Sequence, residues 1–128
     1  MGQRILLSCT QCNLKKEMSV GVGLMCNNPD VIASCLEADD AKEWQRLFHS
    51  NQVSFFQAQQ EAFYCDHCND LFCQLSVDVT LTDGRELTFG NKCQVCHNKL
   101  QEIDTQASPM CPICHSGILI RKNIGLWD

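Results

Sequence analysis

The chain has 128 residues, a length that fits one modest domain or two very small ones. Its formal net charge is −5, from 10 lysines and arginines against 15 acidic residues, which argues against a general binder of nucleic-acid backbones. Eleven cysteines indicate a disulfide scaffold or a metal protein. Their odd number, the C-x-x-C spacing and the lack of a secretory signal favour metal in a reducing compartment. Without a stretch of roughly 20 apolar residues, we expect a cytoplasmic protein and no membrane partner.

The first half of the chain predicts a strand and then helices. Residues 18–24 alternate apolar side chains with serine and glycine, which is typical of a strand. Pro29 follows a break and fits the first turn of a helix. Asp40 and Glu43 resemble a capping box, so a second, amphipathic helix is predicted over about 40–49. Its apolar side chains include Trp44, which we expect to pack on a sheet.

The middle of the chain predicts a β-hairpin. Residues 53–64 fit a helix or a strand, and we favour a strand for their end. Residues 72–81 are the clearest strand, with Cys73 as a small residue that faces the core. A three-residue loop with a left-handed Gly84 would pair Val79 with Leu87, keeping apolar side chains on one face.

Four C-x-x-C pairs carry the chemistry of this sequence. The eight candidate metal ligands are Cys9, Cys12, Cys65, Cys68, Cys93, Cys96, Cys111 and Cys114. Structural Zn²⁺ takes four soft ligands in a tetrahedron, and one C-x-x-C turn supplies two. Four such turns therefore predict two Cys₄ zinc sites, that is, two Zn²⁺ per chain. A thioredoxin-like dithiol is disfavoured, because Cys111 has no βαβ pattern around it and four similar pairs are present.

The residue after each pair supports the metal interpretation. These residues are Asn13, Asn69, His97 and His115. The position is commonly left-handed in a zinc-binding turn, and asparagine and histidine tolerate that conformation better than other side chains do. We therefore interpret His97 and His115 as turn residues rather than ligands, and His67 and His49 as exposed residues.

The sequence does not decide which pairs share a metal. The gaps between successive pairs are 52, 24 and 14 residues, and the shortest suits a compact site built from the third and fourth pairs. We favour this sequential pairing, first with second and third with fourth. The nested alternative joins the second pair to the third across the hairpin, and the first to the fourth. The ligands are the same in both.

The pairs resemble those of rubredoxin-type and transcription-factor-type zinc ribbons. The whole layout is similar to a group of bacterial zinc-ribbon proteins with no assigned activity. The shared features are Met-Gly before an early C-x-x-C pair, residues 21–25, Glu43-Trp44, three later pairs and the terminal residues 125–128. This sequence differs in lacking glycine directly after each pair. The resemblance implies two zinc ribbons and no activity.

The expected fold is a small zinc-dependent α+β protein of two zinc ribbons, each an antiparallel β-hairpin, with a short helical insertion. We place an N-terminal ribbon at 1–92, with the insertion at about 29–49 and the hairpin at 71–90, and a C-terminal ribbon at 93–128. Trp127 is expected to fold back onto the sheet rather than to form an exposed tail.

Closed Cys₄ sites leave no open coordination position, so we expect no enzyme. We expect a protein-interaction or adaptor module whose protein partner is unknown. Two Zn(Cys)₄ centres would take the net charge from −5 to about −9, which disfavours the first alternative, a nucleic-acid-associated regulatory ribbon. Its support is local: Lys15-Lys16, Arg121-Lys122, and Lys92 with Lys99. The second alternative is a thiol redox switch that releases zinc, with Cys26 and Cys35 as spare thiols.

Overall fold

Two antiparallel sheets form the frame in the computed structural model, which describes residues 2–128. The three-stranded sheet has the order β2-β1-β7, formed by β1 Gly2–Cys9, β2 Lys15–Val20 and β7 Leu119–Trp127. The four-stranded sheet has the order β5-β4-β3-β6, formed by β3 Val53–Cys65, β4 Asp70–Leu81, β5 Glu86–Phe89 and β6 Gln101–Glu102. A β-bridge between Gly21 and Gln60, with N–H···O distances of 2.8 and 2.9 Å, joins the sheets. The protein is a small α+β fold with mostly antiparallel strands.

Two helices are inserted between β2 and β3: α1 spans Pro29–Cys35 and α2 spans Ala38–His49. Pro29 occupies the first turn of α1, as predicted. The Asn28 side chain caps this helix, because its oxygen accepts hydrogen bonds from the backbone N–H groups of Asp30 and Val31 at 3.0 and 3.3 Å. The insertion places α1 and α2 over one face of the larger sheet.

The capping box predicted for α2 is wrong. The helix begins at Ala38, and its N-cap residue Glu37 makes no side-chain capping bond. Asp40 lies inside the first turn, and its carboxylate accepts a hydrogen bond from the backbone N–H of Gly90 at 3.3 Å. Glu43 instead pairs with Arg46 at 2.5 Å. Contact with the hairpin, rather than a local cap, therefore anchors the start of α2.

The largest apolar cluster lies between the helices and the four-stranded sheet. Trp44 is fully buried in it, as predicted, with its ring edge-on to Phe56 and Phe89 at centroid distances of 5.2 and 6.4 Å. Its indole N–H donates to the carbonyl of Pro29 at 3.0 Å. A buried indole with its N–H satisfied stabilises this junction through both area and hydrogen bonding.

The register of the β4–β5 hairpin is confirmed. Val79 pairs with Leu87 and Val77 with Phe89, and Gly84 has φ of +91°. Residues 53–65 form one continuous strand, β3, including the part that the sequence left ambiguous. The pairing of β4 with β5 stops at Phe89 because Gly90, with φ of +83°, turns the chain away.

The C-terminus folds back onto the protein, which confirms the prediction for Trp127. Its indole N–H donates to the carbonyl of Val20 at 2.9 Å. The ring lies so close to Gly2 and Gly23 that a Cβ on either would stand 2.2 and 2.4 Å from ring atoms. The strand predicted over 18–24 ends at Val20, because a left-handed Gly21 redirects the chain towards β3.

Two smaller apolar clusters support the cysteine pairs. One lies between the sheets and contains Ile5, Leu7, Leu119 and the buried Cys111. The other contains Phe63 with the buried Cys65 and Cys93. Each cluster packs against the buried cysteines of one group and so holds that group in position. No helix within residues 2–128 has the length and apolar content needed to cross a membrane.

Candidate metal centres

Each C-x-x-C pair lies at the turn of an antiparallel pairing. The backbone N–H of Cys9 donates to the carbonyl of Leu14 at 3.1 Å, closing the turn between β1 and β2. The second pair joins β3 to β4, where Cys65 pairs with Asp70. The third and fourth pairs are closed by the bridges Lys92–Lys99 and Met110–Ile118. In every turn the first cysteine ends one extended segment, so the pair projects from the end of a sheet.

The structure brings the eight predicted cysteines into two groups of four. Site A consists of Cys9, Cys12, Cys111 and Cys114; site B consists of Cys65, Cys68, Cys93 and Cys96. Within each site all sulfur atoms lie within 4.8 Å of one another. All eight cysteines are free thiols rather than disulfides. Either site can hold a metal ion.

The sulfur separations match a tetrahedral metal. In site A, Cys9 and Cys114 are 3.5 Å apart and Cys12 and Cys111 are 3.9 Å apart. The corresponding distances in site B are 3.4 Å for Cys65 to Cys96 and 3.9 Å for Cys68 to Cys93. A Zn–S distance of about 2.3 Å in a regular tetrahedron separates the sulfurs by about 3.8 Å. Four protein ligands complete that tetrahedron.

The favoured sequential pairing is wrong, and the nested alternative is the one observed. β7 pairs with β1 from Cys9↔Leu119 onwards, so the turn that precedes β7 lies beside the first pair. The third pair follows β5 and is held near the base of β4, where the Gln74 side chain donates to the carbonyl of Lys92 at 2.9 Å. Strand pairing, rather than the shortest gap, thus selects the partners.

The nested grouping of the cysteine pairs also affects the prediction of two separate ribbons at 1–92 and 93–128. Each site takes two cysteines from either side of residue 92, so neither site lies within one of the two segments. A C-terminal site built from the third and fourth pairs alone is therefore not present. The boundary itself stays a prediction, since the contacts of the sites do not test independent folding.

Backbone N–H groups favour thiolates at three of the cysteines. The N–H groups of Ser116 and Gly117 lower the pKa of Cys114 to about 6. Those of Cys96 and Val95 lower the pKa of Cys93 to about 7, and those of Cys12 and Gln11 lower the pKa of Cys9. The last two bonds span 3.4 Å each to the Cys9 sulfur. Each site thus has at least one sulfur that readily loses its proton.

Cys68, by contrast, holds its proton more firmly than an ordinary thiol does. The neighbouring thiol of Cys96 and burial raise the pKa of Cys68 to about 12. Because metal ions bind the thiolate, binding at such a group displaces a proton, and affinity rises with pH.

Three of the four residues after the pairs are left-handed, as predicted. Asn69, His97 and His115 have φ of 51°, 64° and 58°. Asn13 is not among the positive-φ residues of the chain from residue 2 onwards, so the prediction for it is wrong. From residue 2 onwards, the first turn also lacks the backbone bond of the third and fourth turns, in which the N–H groups of His97 and His115 donate to the carbonyls of Cys93 and Cys111 at 2.9 and 3.0 Å.

No histidine belongs to either four-cysteine group in the described part of the chain. His67 and His115 are exposed on their turns, and His49 is an exposed residue at the end of α2. The His97 imidazole Nδ1 lies 3.0 Å from the Glu37 carboxylate, which links the third pair to the start of α2. These positions agree with turn and surface roles.

Gly117 is a site residue that the sequence analysis missed. A Cβ there would stand 2.6 Å from the Cys9 sulfur and 2.8 Å from the backbone nitrogen of Gln11. Because glycine has no Cβ, the fourth turn can approach the first closely enough to complete site A. The signal available in the sequence is a glycine three residues after Cys114, which differs from the usual position directly after the pair.

The three remaining cysteines lie outside both sites. Cys26 is buried in the cluster under the helices, in agreement with an inert core role. Cys35 and Cys73 are half-buried and line a common pocket of about 500 Å³, together with Cys93 of site B. Cys73 therefore faces this pocket as well as the core.

Comparison with known proteins returned no match: no protein-family profile, no curated protein and no solved structure is similar to this chain. The resemblance to zinc ribbons thus depends on the cysteine turns and their grouping.

Proposed function

We propose that this chain is a non-enzymatic zinc protein with two structural Cys₄ sites, and that it acts as a protein-interaction or adaptor module. The observation that carries this proposal is the closure of both tetrads. Four sulfurs at tetrahedral spacing fill the coordination of Zn²⁺ and leave no position for a substrate or a reactive water. The metal would then stabilise the fold rather than take part in a reaction.

Zinc is the metal we favour on chemical grounds. A tetrahedral set of four sulfurs suits zinc or iron, and closed Cys₄ sites of paired C-x-x-C turns are typical of structural zinc. The small apolar clusters beneath the sites are the kind of core that a bound metal reinforces. Iron in the same geometry would absorb visible light, so an optical spectrum separates the two metals.

The function is tested by asking whether a partner recognises the metal-loaded chain. Purified zinc-loaded protein is used to capture partners from extracts of its own source. The double variant Cys111→Ser/Cys114→Ser, which lacks half of site A, serves as the control. We expect at least one protein that binds the wild type alone and that forms a complex again when both components are purified. The absence of any such protein would contradict the adaptor role.

One observation favours the nucleic-acid alternative. Lys92 and Lys99 face each other across a β-bridge beside site B, which concentrates two positive charges on an acidic protein. Binding of duplex DNA or RNA that weakens as salt rises would support this alternative. Two lysines are a small basic surface, and the protein-interaction role remains our conclusion.

The redox alternative has the pocket shared by Cys35 and Cys73 in its favour. Hydrogen peroxide would oxidise two thiols to a disulfide and be reduced to two water molecules. If site B thiolates take part, zinc is released at the same time. Mild peroxide that ejects zinc and forms a disulfide containing Cys35 or Cys73 would support a switch over an adaptor.

A further inference from the structure

β7 is an edge strand whose outer side is open. The sheet order β2-β1-β7 places it at the margin, and eight of its nine residues pair with β1 on one side. On the other side the chain covers only its start, where the N–H of Leu119 donates to the carbonyl of Pro109 at 2.8 Å and Met110 bridges to Ile118. Among residues 2–128 no further strand pairs there.

The alternation of an antiparallel strand fixes which amides are free. The N–H of Leu119 points away from β1, so those of Arg121 and Asn123 point the same way. This side of the strand borders a groove of about 420 Å³, across which lies the loop containing Thr105 and Gln106. An extended chain in that groove would find donors and acceptors at the normal two-residue interval.

Exposed apolar side chains concentrate on and beside β7. Of the nine large apolar residues exposed in the described chain, five belong to this region: Met110, Ile118, Ile120, Ile124 and Leu126. Ile120 is 47% exposed and Leu126 is 61% exposed. A long edge strand with apolar side chains is a template for pairing with another chain unless it is covered.

The charge at the centre of β7 selects the kind of chain. Arg121 donates to the uncharged groups of Gln3, Thr105 and Asn123, and neither it nor Lys122 forms an ion pair within the described chain. Residues 110–127 contain no acidic side chain. Arg121 lines the cleft that Glu61, Glu102 and Asp104 also line, whereas Lys122 faces the other side of the sheet, between Ile120 and Ile124. A cation flanked by apolar residues on that face complements a segment with acidic and apolar side chains.

The same charges oppose pairing with a second copy. An antiparallel pair of β7 strands centred on Arg121 or on Lys122 would place like charges directly opposite each other, which is destabilising. Centring the pair on Asn123 would avoid this, but β7 is bulged at Ile124, where the register with β1 shifts between Arg4 and Ile5. A different chain therefore fits the edge better than an identical one.

We propose that the outer edge of β7 binds an extended segment of a partner protein, with apolar and acidic side chains on the same face, as an added antiparallel or parallel strand. This inference rests on the protein-interaction function proposed above and names its binding surface. The backbone of Arg121 and Asn123 provides the hydrogen bonds, Ile120, Ile124 and Leu126 provide apolar contacts, and Lys122 provides charge selection.

The test uses two capped nine-residue peptides and the zinc-loaded full chain. One peptide has valine, glutamate and valine at every second position of its centre, with threonine between them; in the other, lysine replaces the glutamate. We expect the glutamate peptide to slow amide hydrogen exchange at Arg121 and Asn123, measured by NMR, and to bind about ten-fold more tightly than the lysine peptide. The variant Lys122→Glu should reduce or reverse this preference. Absence of binding at β7, or equal affinity for both peptides, would overturn the proposal.

A matched pair of variants tests the backbone contact. Asn123→Pro removes the outward N–H, whereas Asn123→Ala loses the same side chain but keeps the N–H. With two zinc ions still bound, we expect the proline variant alone to lose about ten-fold in affinity for the glutamate peptide. Equal binding by both variants would contradict strand addition. Dimers that form as protein concentration rises, without peptide and with the β7 amides protected from exchange, would show instead that the edge pairs with a second copy of this chain.

The two proposals fail separately. If a natural partner binds the wild-type protein and Asn123→Pro equally well, the edge proposal is wrong and the adaptor function stands. If the wild-type protein has no partner at all, the adaptor function is wrong.

Discussion

Single residues after the cysteine pairs show how local backbone conformation decides side-chain identity. His115 occupies a left-handed position at φ of 58°, a conformation that costs ordinary L-residues roughly 1–2 kcal/mol and β-branched residues more. Its side chain is exposed and lies outside both metal sites. The left-handed backbone of the turn, rather than metal binding, therefore explains the residue type at this position.

Substitutions at His115 test this explanation. We expect His115→Gly to retain two metal ions and to unfold within about 1 kcal/mol of the wild type, because glycine adopts a positive φ without strain. His115→Val should lose about 1–2 kcal/mol in denaturant unfolding. Asn13→Val, at the equivalent position without a positive φ, is the control and should cost less. Loss of a metal ion from His115→Gly would show that the imidazole is a ligand.

Glu61 is the residue whose ionisation is most affected by the fold outside the cysteine sites. It lines a cleft of about 680 Å³ between the sheets. Burial, and then the neighbouring carboxyl group of Glu102, raise its pKa to about 7. The folded protein therefore keeps a proton that the unfolded chain releases near pH 4.5, and the free energy of unfolding falls as pH rises through this window.

Glu61→Gln should remove that pH dependence. The uncharged amide cannot ionise, so the variant should gain stability relative to the wild type between about pH 5 and pH 7 and keep the gain above it. After allowance for partial exposure to solvent, the gain is on the order of 1 kcal/mol. Denaturant unfolding at several pH values measures it, with Glu86→Gln, an exposed glutamate of β5, as control. A difference that does not change with pH would contradict the shift.

At the scale of elements, two glycines of the hairpin region have similar backbones and different surroundings. Gly84 has φ of +91°, and a Cβ added to it would have no atom within 4 Å. A Cβ on Gly90, at φ of +83°, would stand 2.0 Å from the carbonyl oxygen of Leu75. Gly84 needs only conformational freedom. Gly90 also needs space, since the chain turns there against β4 on its way to site B.

Alanine substitutions should separate these two requirements. Gly84→Ala is expected to cost about 1 kcal/mol in denaturant unfolding, the cost of a positive φ alone. Gly90→Ala should cost roughly 3 kcal/mol or more, because the steric conflict with Leu75 adds to it. Similar costs for the two variants would show that the close contact at Gly90 is relieved easily.

The hairpin could be predicted from the sequence because one rule decided its register. Only the three-residue loop kept Val77 and Val79 opposite apolar partners, and the structure has that pairing. The start of α2 could not be predicted in the same way. Asp40 has the right spacing to Glu43 for a local cap, but its partner is Gly90, 50 residues later in the chain. Local patterns carry no information about such a contact.

At the scale of the whole molecule, the nested sites tie the ends of the chain together. Site A joins the turn after β1 to the turn before β7, and the β1–β7 pairing and Trp127 close the same region. Site B is enclosed in the sequence between the two halves of site A. Metal at site A would therefore hold the two ends of the protein, and metal at site B the base of the larger sheet.

The eight cysteines that group together could be predicted from the sequence, but which pairs share a group could not. Each C-x-x-C turn presents two sulfurs in the same way, so any two turns can complete a tetrahedron. Only the position of β7 beside β1 distinguishes the possibilities, and β7 is a weakly alternating segment whose strand character the sequence analysis did not identify. Site membership thus follows from long-range strand order.

The most direct test of two nested Cys₄ zinc sites is native mass spectrometry combined with thiol alkylation of Cys111→Ser/Cys114→Ser. The wild type should carry two Zn²⁺ with all eight ligands protected from iodoacetamide. The variant should carry one, with Cys9 and Cys12 becoming reactive while Cys93 and Cys96 stay protected. Reactive Cys93 and Cys96 would contradict the nesting, and a folded wild type without bound metal would contradict the sites themselves.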